Sequence, residues 1–96
     1  MVKHVVFFKF KKDAAESAIV EVIEDLRALP GVISEIKEFM VGRDVVHSER
    51  SCDMALISAF DNLDALNRYA VHPAHQAVVQ KLKKICESIP IVDFEY

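Results

Sequence analysis

A phenol and two imidazoles crowd into seven residues of this chain, Tyr69-Ala70-Val71-His72-Pro73-Ala74-His75. A phenol donates hydrogen bonds to carbonyl and enolate oxygens, and an imidazole titrates near neutrality and moves a proton in either direction. Together they suit proton transfer beside a carbonyl. In one uninterrupted helix the two ends of this stretch would lie on different sides and about 9 Å apart along the axis. The residue before a proline is steered away from helical angles, and proline itself is well placed at the first position of a new helix. A corner is therefore expected at His72-Pro73, with His72 as the capping residue of the second helix and Tyr69 and His75 converging across the break. The competing assignments make His75 an imidazole that completes a helix edge and Tyr69 a boundary aromatic with its hydroxyl in water.

The elements that must position these groups follow from periodicity. Lys3 to Phe10 reads as a strand, with His4, Val6, Phe8 and Phe10 on one face and Val5, Phe7 and Lys9 on the other. From Asp13 the period lengthens, and Ala15, Ala18, Ile19, Val22, Leu26 and Leu29 form the apolar side of a helix that Pro30-Gly31 stops. Asp13 and Glu16 resemble a capping box. Val32 to Val41 reads as a second strand whose charges suit a sheet edge, and Asp53 to Phe60 as a third that is apolar on both faces. Asp61 or Asn62 caps a short helix through Ala70, a second helix runs from Pro73 to about Ser88, and Ile91 to Tyr96 is a fourth strand.

The order strand, helix, strand, strand, helix pair, strand is the split βαβ plan: an α+β, ferredoxin-like βαββαβ protomer with a four-stranded antiparallel sheet in one domain, residues 1–96. Right-handed crossovers put the helices on one side of that sheet. The other side would expose Val5, Phe7, Ala55, Ile57 and Ala59, an apolar patch of the kind that marks an interface. A second copy packed sheet to sheet, as a symmetric homodimer closing an α/β barrel, removes it from water.

Composition narrows the function classes. The formal net charge is -3, and the lysines fall in two short groups, Lys9-Lys11-Lys12 and Lys81-Lys83-Lys84, which argues against nucleic acid. Cys52 and Cys86 belong to no zinc or disulfide spacing, so free thiols in a reducing cytoplasm are expected. No apolar run is long enough for a signal peptide or membrane helix, and the expected location is cytoplasmic, away from membranes. Among His4, His72 and His75 no carboxylate stands at a dependable ligand spacing, and His47 falls in a polar loop; no metal and no other cofactor is expected.

The opening Val2-Lys3-His4-Val5-Val6-Phe7-Phe8-Lys9-Phe10-Lys11, the turn Val41-Gly42-Arg43-Asp44 and the Tyr69-to-His75 stretch together resemble the stress-responsive dimeric α/β-barrel (Dabb) family over essentially the whole chain. The resemblance implies a ferredoxin-like protomer and a dimer whose sheets close a barrel. Most members have no assigned activity. One that has is a polyketide cyclase acting by aldol condensation, and its catalytic tyrosine and histidine fall on the positions of Tyr69 and His75, with His4 matching a cavity histidine. Where that enzyme has a histidine on the third strand, this chain has Met54.

The expected site is thus a small apolar pocket between helices and sheet. His4, Phe8, Ile19, Ile23, Met54, Leu56 and Val79 are its candidate walls, and Tyr69 and His75 its candidate catalytic pair. Its ligand would be a small carbonyl or aromatic metabolite, and its chemistry cofactor-free acid/base work such as cyclisation or isomerisation. The alternative is a non-catalytic dimerisation or stress-response module with no specific substrate.

Overall fold

The computed structural model describes residues 1–96. In chain order the elements are β1 (Val2–Phe10), α1 (Glu16–Ala28), a 3-10 turn (Leu29–Gly31), β2 (Glu38–Arg43), β3 (Met54–Phe60), α2 (Leu63–Val71), α3 (Pro73–Ile85), β4 (Cys86–Ser88) and β5 (Ile91–Glu95). Every strand pair is antiparallel, and β1 is central: β3 lies on one side of it, with β2 outside β3. β5 pairs with the first half of β1 on the other side, while β4 pairs with its end. This is the ferredoxin-like α+β fold. The sheet has five strands instead of four because Cys86–Ser88 leaves the expected helix early and pairs with Lys9 and Phe10.

Register decides which side chains share a face. His4 stands opposite Ser58 and Asp93, Val6 opposite Leu56 and Ile91, and Phe8 opposite Met54, all on the side the helices cover. Buried Val2, Val6, Phe8, Leu56 and Phe60 meet Ile19, Val22, Ile23 and Leu26 of α1, Tyr69 of α2 and Val78 and Leu82 of α3. On the opposite side Val5 stands between Ile57 and Val92, and Met40 opposite Ile57. That outer face is bare, with Phe7, Ile57, Val92, Phe94 and Met40 all exposed.

Three local expectations are corrected. β2 begins at Glu38, not Val32: Ile33 and Ile36 close successive turns, and Ile33 is buried at 1% exposure beneath the helices instead of alternating along a strand. The Asp13–Glu16 capping box does not form. α1 starts from Ala15 with no side-chain cap, because the Glu16 carboxylate accepts from both terminal nitrogens of Arg43 on β2, at 2.5 and 3.0 Å. α3 ends at Ile85, where its final carbonyl accepts from the backbone of Lys11 and ties the helix to the end of β1.

α2 is capped as its sequence indicates, Asn62 accepting from the Ala65 amide at 2.9 Å, an interaction worth about 1 kcal/mol. Buried Cys86 has its thiol pushed up to about 11, first by desolvation and then by the charge of Asp53, which leaves it unreactive at neutral pH.

Candidate functional site

The break between α2 and α3 builds the site. His72 adopts φ -63° and ψ 134°, an extended conformation, and its Nδ1 accepts from the Ala74 amide at 3.1 Å, so it ends one helix and caps the next. Termination of α2 leaves carbonyls without helical partners. The Ala70 carbonyl accepts from His75 Nδ1 at 3.0 Å and from Gln76 Nε2 at 2.6 Å. This bond fixes which nitrogen of His75 carries the proton. Its Nε2 is left as a free lone pair.

Across the corner the Tyr69 and His75 rings lie 4.3 Å apart between centroids and tilted by 43°. His4, from the centre of β1, meets Tyr69 edge-on at 6.1 Å, and Phe60 packs on the phenol at 4.9 Å. With Phe60 behind the phenol in the core, the His4, Tyr69 and His75 rings bound a cavity of about 260 Å³ between the sheet and α2 and α3. Phe8, Leu56 and Val79 line it with His4, Tyr69 and His75; Val6, Leu26, Ala70, Val78, Leu82, Ile89 and Ile91 complete the wall. No Lys or Arg and no carboxylate is among the lining residues.

Two expected wall residues lie elsewhere, and so does Ile19. Ile23 is buried in the core on α1, and Met54 packs in the core one pleat beyond Leu56, opposite Phe8. Both Met54 and Leu56 face inward, so alternation alone offered no choice between them. Leu56 is the wall that β3 contributes. His47 sits in the β2–β3 loop with φ 57°, its amide donating to Asp44, and takes no part in the cavity. No three His, Cys, Asp or Glu side chains gather as a metal-binding group.

The electrostatics give the three polar groups different characters. Tyr69 is 1% exposed and its hydroxyl has no hydrogen-bond partner in the protein. Burial pushes that phenol well above its ordinary ionisation, so it acts as a donor and not as a titrating acid at neutral pH. For His75, desolvation outweighs the bond to Ala70 and moves its ionisation below the ordinary value near 6.5, with His4 and His72 adding repulsion. The ring is therefore neutral at pH 7. His4 Nδ1 donates to the Asp93 carboxylate on β5, an orienting partner that sequence reading did not single out. Alternation puts Asp93 on one face with Ile91 and Glu95, but only the register, His4 opposite Asp93, reveals the pair.

The depressed ionisation of His75 has a measurable sign. As pH falls through about 6.5 the unfolded chain takes up this proton before the folded one does, so stability declines until the folded value is passed and then levels off. His75→Gln keeps a donor for the Ala70 carbonyl and removes the titration. Melting temperature between pH 7.5 and 5 should drop less in this variant than in the parent; parallel profiles would show that His75 is not held neutral by burial.

Known proteins bear on the site as follows. The family model of the stress responsive A/B barrel domain matches residues 2–96. An uncharacterized protein of Streptomyces coelicolor is 33% identical over 98 residues, spanning 100% of both chains. Olivetolic acid cyclase of Cannabis sativa is 25% identical over 95 residues, covering 97% of this chain and 94% of the cyclase. Among solved structures, a dimeric protein of unknown function with a ferredoxin-like fold from Bacteroides fragilis is 38% identical, with a TM-score of 0.86 over 99% of this chain and 95% of that one.

Proposed function

The chain belongs to the stress-responsive A/B barrel domain family, and from that premise we propose a one-domain homodimer whose cavity binds a small carbonyl or aromatic metabolite and moves protons beside its carbonyl without a cofactor. The observation that carries this reading is the cavity of about 260 Å³ lined side by side by the neutral His75 ring and by Tyr69, whose buried hydroxyl has no protein partner. A buried hydroxyl with no partner costs about 1–3 kcal/mol, and a ligand oxygen would supply the missing acceptor. His75 Nε2 is the base, Tyr69 the donor to the carbonyl or enolate oxygen, and His4, held by Asp93, the third polar contact.

The similarity to a polyketide cyclase supports the chemical class and not that substrate. The third-strand wall here is the thoroughly apolar Leu56, backed by Met54. Two-fold pairing through the bare outer face is supported by the dimeric neighbour, and the free thiols of Cys52 and Cys86 suit a cytoplasmic setting. No helix of the chain is long and apolar enough to cross a membrane.

The test is ligand-dependent stabilisation. A ligand held at 100 times its dissociation constant stabilises the native state by about 2.7 kcal/mol, and each kcal/mol raises the melting temperature of a domain this size by roughly 4–8 °C. A panel of small ketones, aldehydes and substituted benzenes should contain members that raise it, and Val79→Phe, which fills the cavity, should abolish the shift while the protein still folds. A panel without effect, or shifts that survive Val79→Phe, would favour the non-catalytic module.

A further inference from the structure

The charge and hydrogen-bonding inventory of the cavity discriminates between ligand classes more sharply than its shape does. Three hydrogen-bonding side chains, His4, Tyr69 and His75, are among its lining residues, and no Lys or Arg is. His75 spends its only proton on the Ala70 carbonyl, so towards the cavity it is an acceptor. His4 has its Nδ1 held by the Asp93 carboxylate behind it. The Tyr69 hydroxyl, 1% exposed and without a protein partner, is the one group with an unused donor. An anion entering here would lose its hydration with no cation to replace it. A group that both accepts and donates a hydrogen bond would satisfy both nearby side chains at once.

We propose that the cavity is selective for an uncharged hydroxyl-bearing ring of the phenol class, the ligand hydroxyl donating to His75 Nε2 and accepting from the Tyr69 hydroxyl while its ring rests against Phe8, Leu56 and Val79. The inference rests on the reading of the cavity as a binding site and narrows what it takes. Size agrees: an engineered protein cavity of about 150 Å³ admits benzene, so about 260 Å³ admits one ring with a short substituent. Simple phenols ionise near pH 10, as tyrosine does, and remain neutral in the working range, whereas a benzoate is fully charged there. A phenol is also a stable enol. The same two contacts that hold it would hold the enol of a carbonyl substrate, with His75 at the donor proton and Tyr69 at the oxygen.

The experiment compares 4-ethylphenol, ethylbenzene and 4-ethylbenzoate at pH 7.5 by thermal shift and calorimetry, on the intact protein and on Tyr69→Phe. We expect 4-ethylphenol to bind at least tenfold more tightly than ethylbenzene, 4-ethylbenzoate to bind at least tenfold more weakly than the phenol, and Tyr69→Phe to erase most of the phenol's advantage while ethylbenzene binding is kept. If ethylbenzene and the phenol bind equally, or the benzoate binds as well as the phenol, the selectivity is overturned and the binding cavity stands. If none of the three binds, both readings fall. Should the phenol keep its full advantage in Tyr69→Phe, the assigned hydrogen bonds are wrong.

Discussion

Ile57→Asp should convert the protein from dimer to monomer at micromolar concentration without unfolding it. Ile57 projects from the middle of β3 onto the outer face and is 41% exposed in a single protomer, flanked by Val5 on β1 and Met40 on β2. Phe7, Val92 and Phe94 extend the same apolar surface across β1 and β5. A monomer would leave this surface in water, whereas a second sheet laid on it hides the whole patch. In a two-fold assembly each substitution enters the interface twice. Two unpaired carboxylates at about 3 kcal/mol each add roughly 6 kcal/mol, which weakens association by about four decades. Within one protomer the new charge reaches solvent, so far-ultraviolet dichroism should be retained. Val45→Asp, at an 85% exposed site in the β2–β3 loop, is the control that should leave the dimer intact. Sedimentation that finds the parent monomeric, or Ile57→Asp still dimeric, would remove this face as the interface.

The two-faced strands explain why so much of the fold was legible. β1 and β3 carry apolar residues at both odd and even positions, a pattern that fits only a strand covered on two sides, and the Pro73 corner is written in local backbone sterics. Where the fold departs from that reading, a distant partner outweighs a local preference. Val32 to Lys37 reads as the start of a strand, yet the core claims Ile33 and bends the chain into turns. Glu16 has the spacing of a capping box but finds Arg43, 27 residues away, in better geometry. Cys86 to Ser88 continues a helical period, but the free end of β1 offers ladder hydrogen bonds that the helix end cannot.

The site divides along the same line. Tyr69, His75 and the corner between them are local and could be read from seven consecutive residues. Asp93 behind His4, separated from it by 89 positions, depends on strand register. The Ala70 carbonyl that sets the His75 tautomer is a backbone atom and carries no residue-type signal at all. Met54 and Leu56 show the limit in its plainest form, since both satisfy the inward alternation and only their distance along β3 from the α2–α3 corner separates wall from core.

Tyr69→Phe should raise stability while lowering activity, whereas His75→Ala, which loses the bond to the Ala70 carbonyl, should lower both. Removing the Tyr69 hydroxyl deletes a buried donor that no protein group satisfies, so Tyr69→Phe should raise stability in the absence of ligand by about 1–2 kcal/mol. Exchange of the methyl protons of acetophenone for deuterium reports the proposed chemistry directly: the carbon–hydrogen bond breaks towards His75 Nε2, and the Tyr69 hydroxyl hydrogen-bonds the enolate oxygen until a deuteron returns to carbon. A positioned base contributes at least about a hundredfold, so His75→Ala should lower the catalysed exchange by that factor or more. Loss of one donor that acts in the transition state costs about 1–3 kcal/mol, or roughly 5- to 150-fold, in Tyr69→Phe. The rate should rise with pH through the ionisation of His75, and because desolvation places that ionisation below 6.5, it should be level by neutrality. A structural Tyr69 would lose stability on substitution and leave exchange per folded molecule unchanged. Equal exchange in the parent and His75→Ala would end the case for a base at this position, whatever the cavity binds.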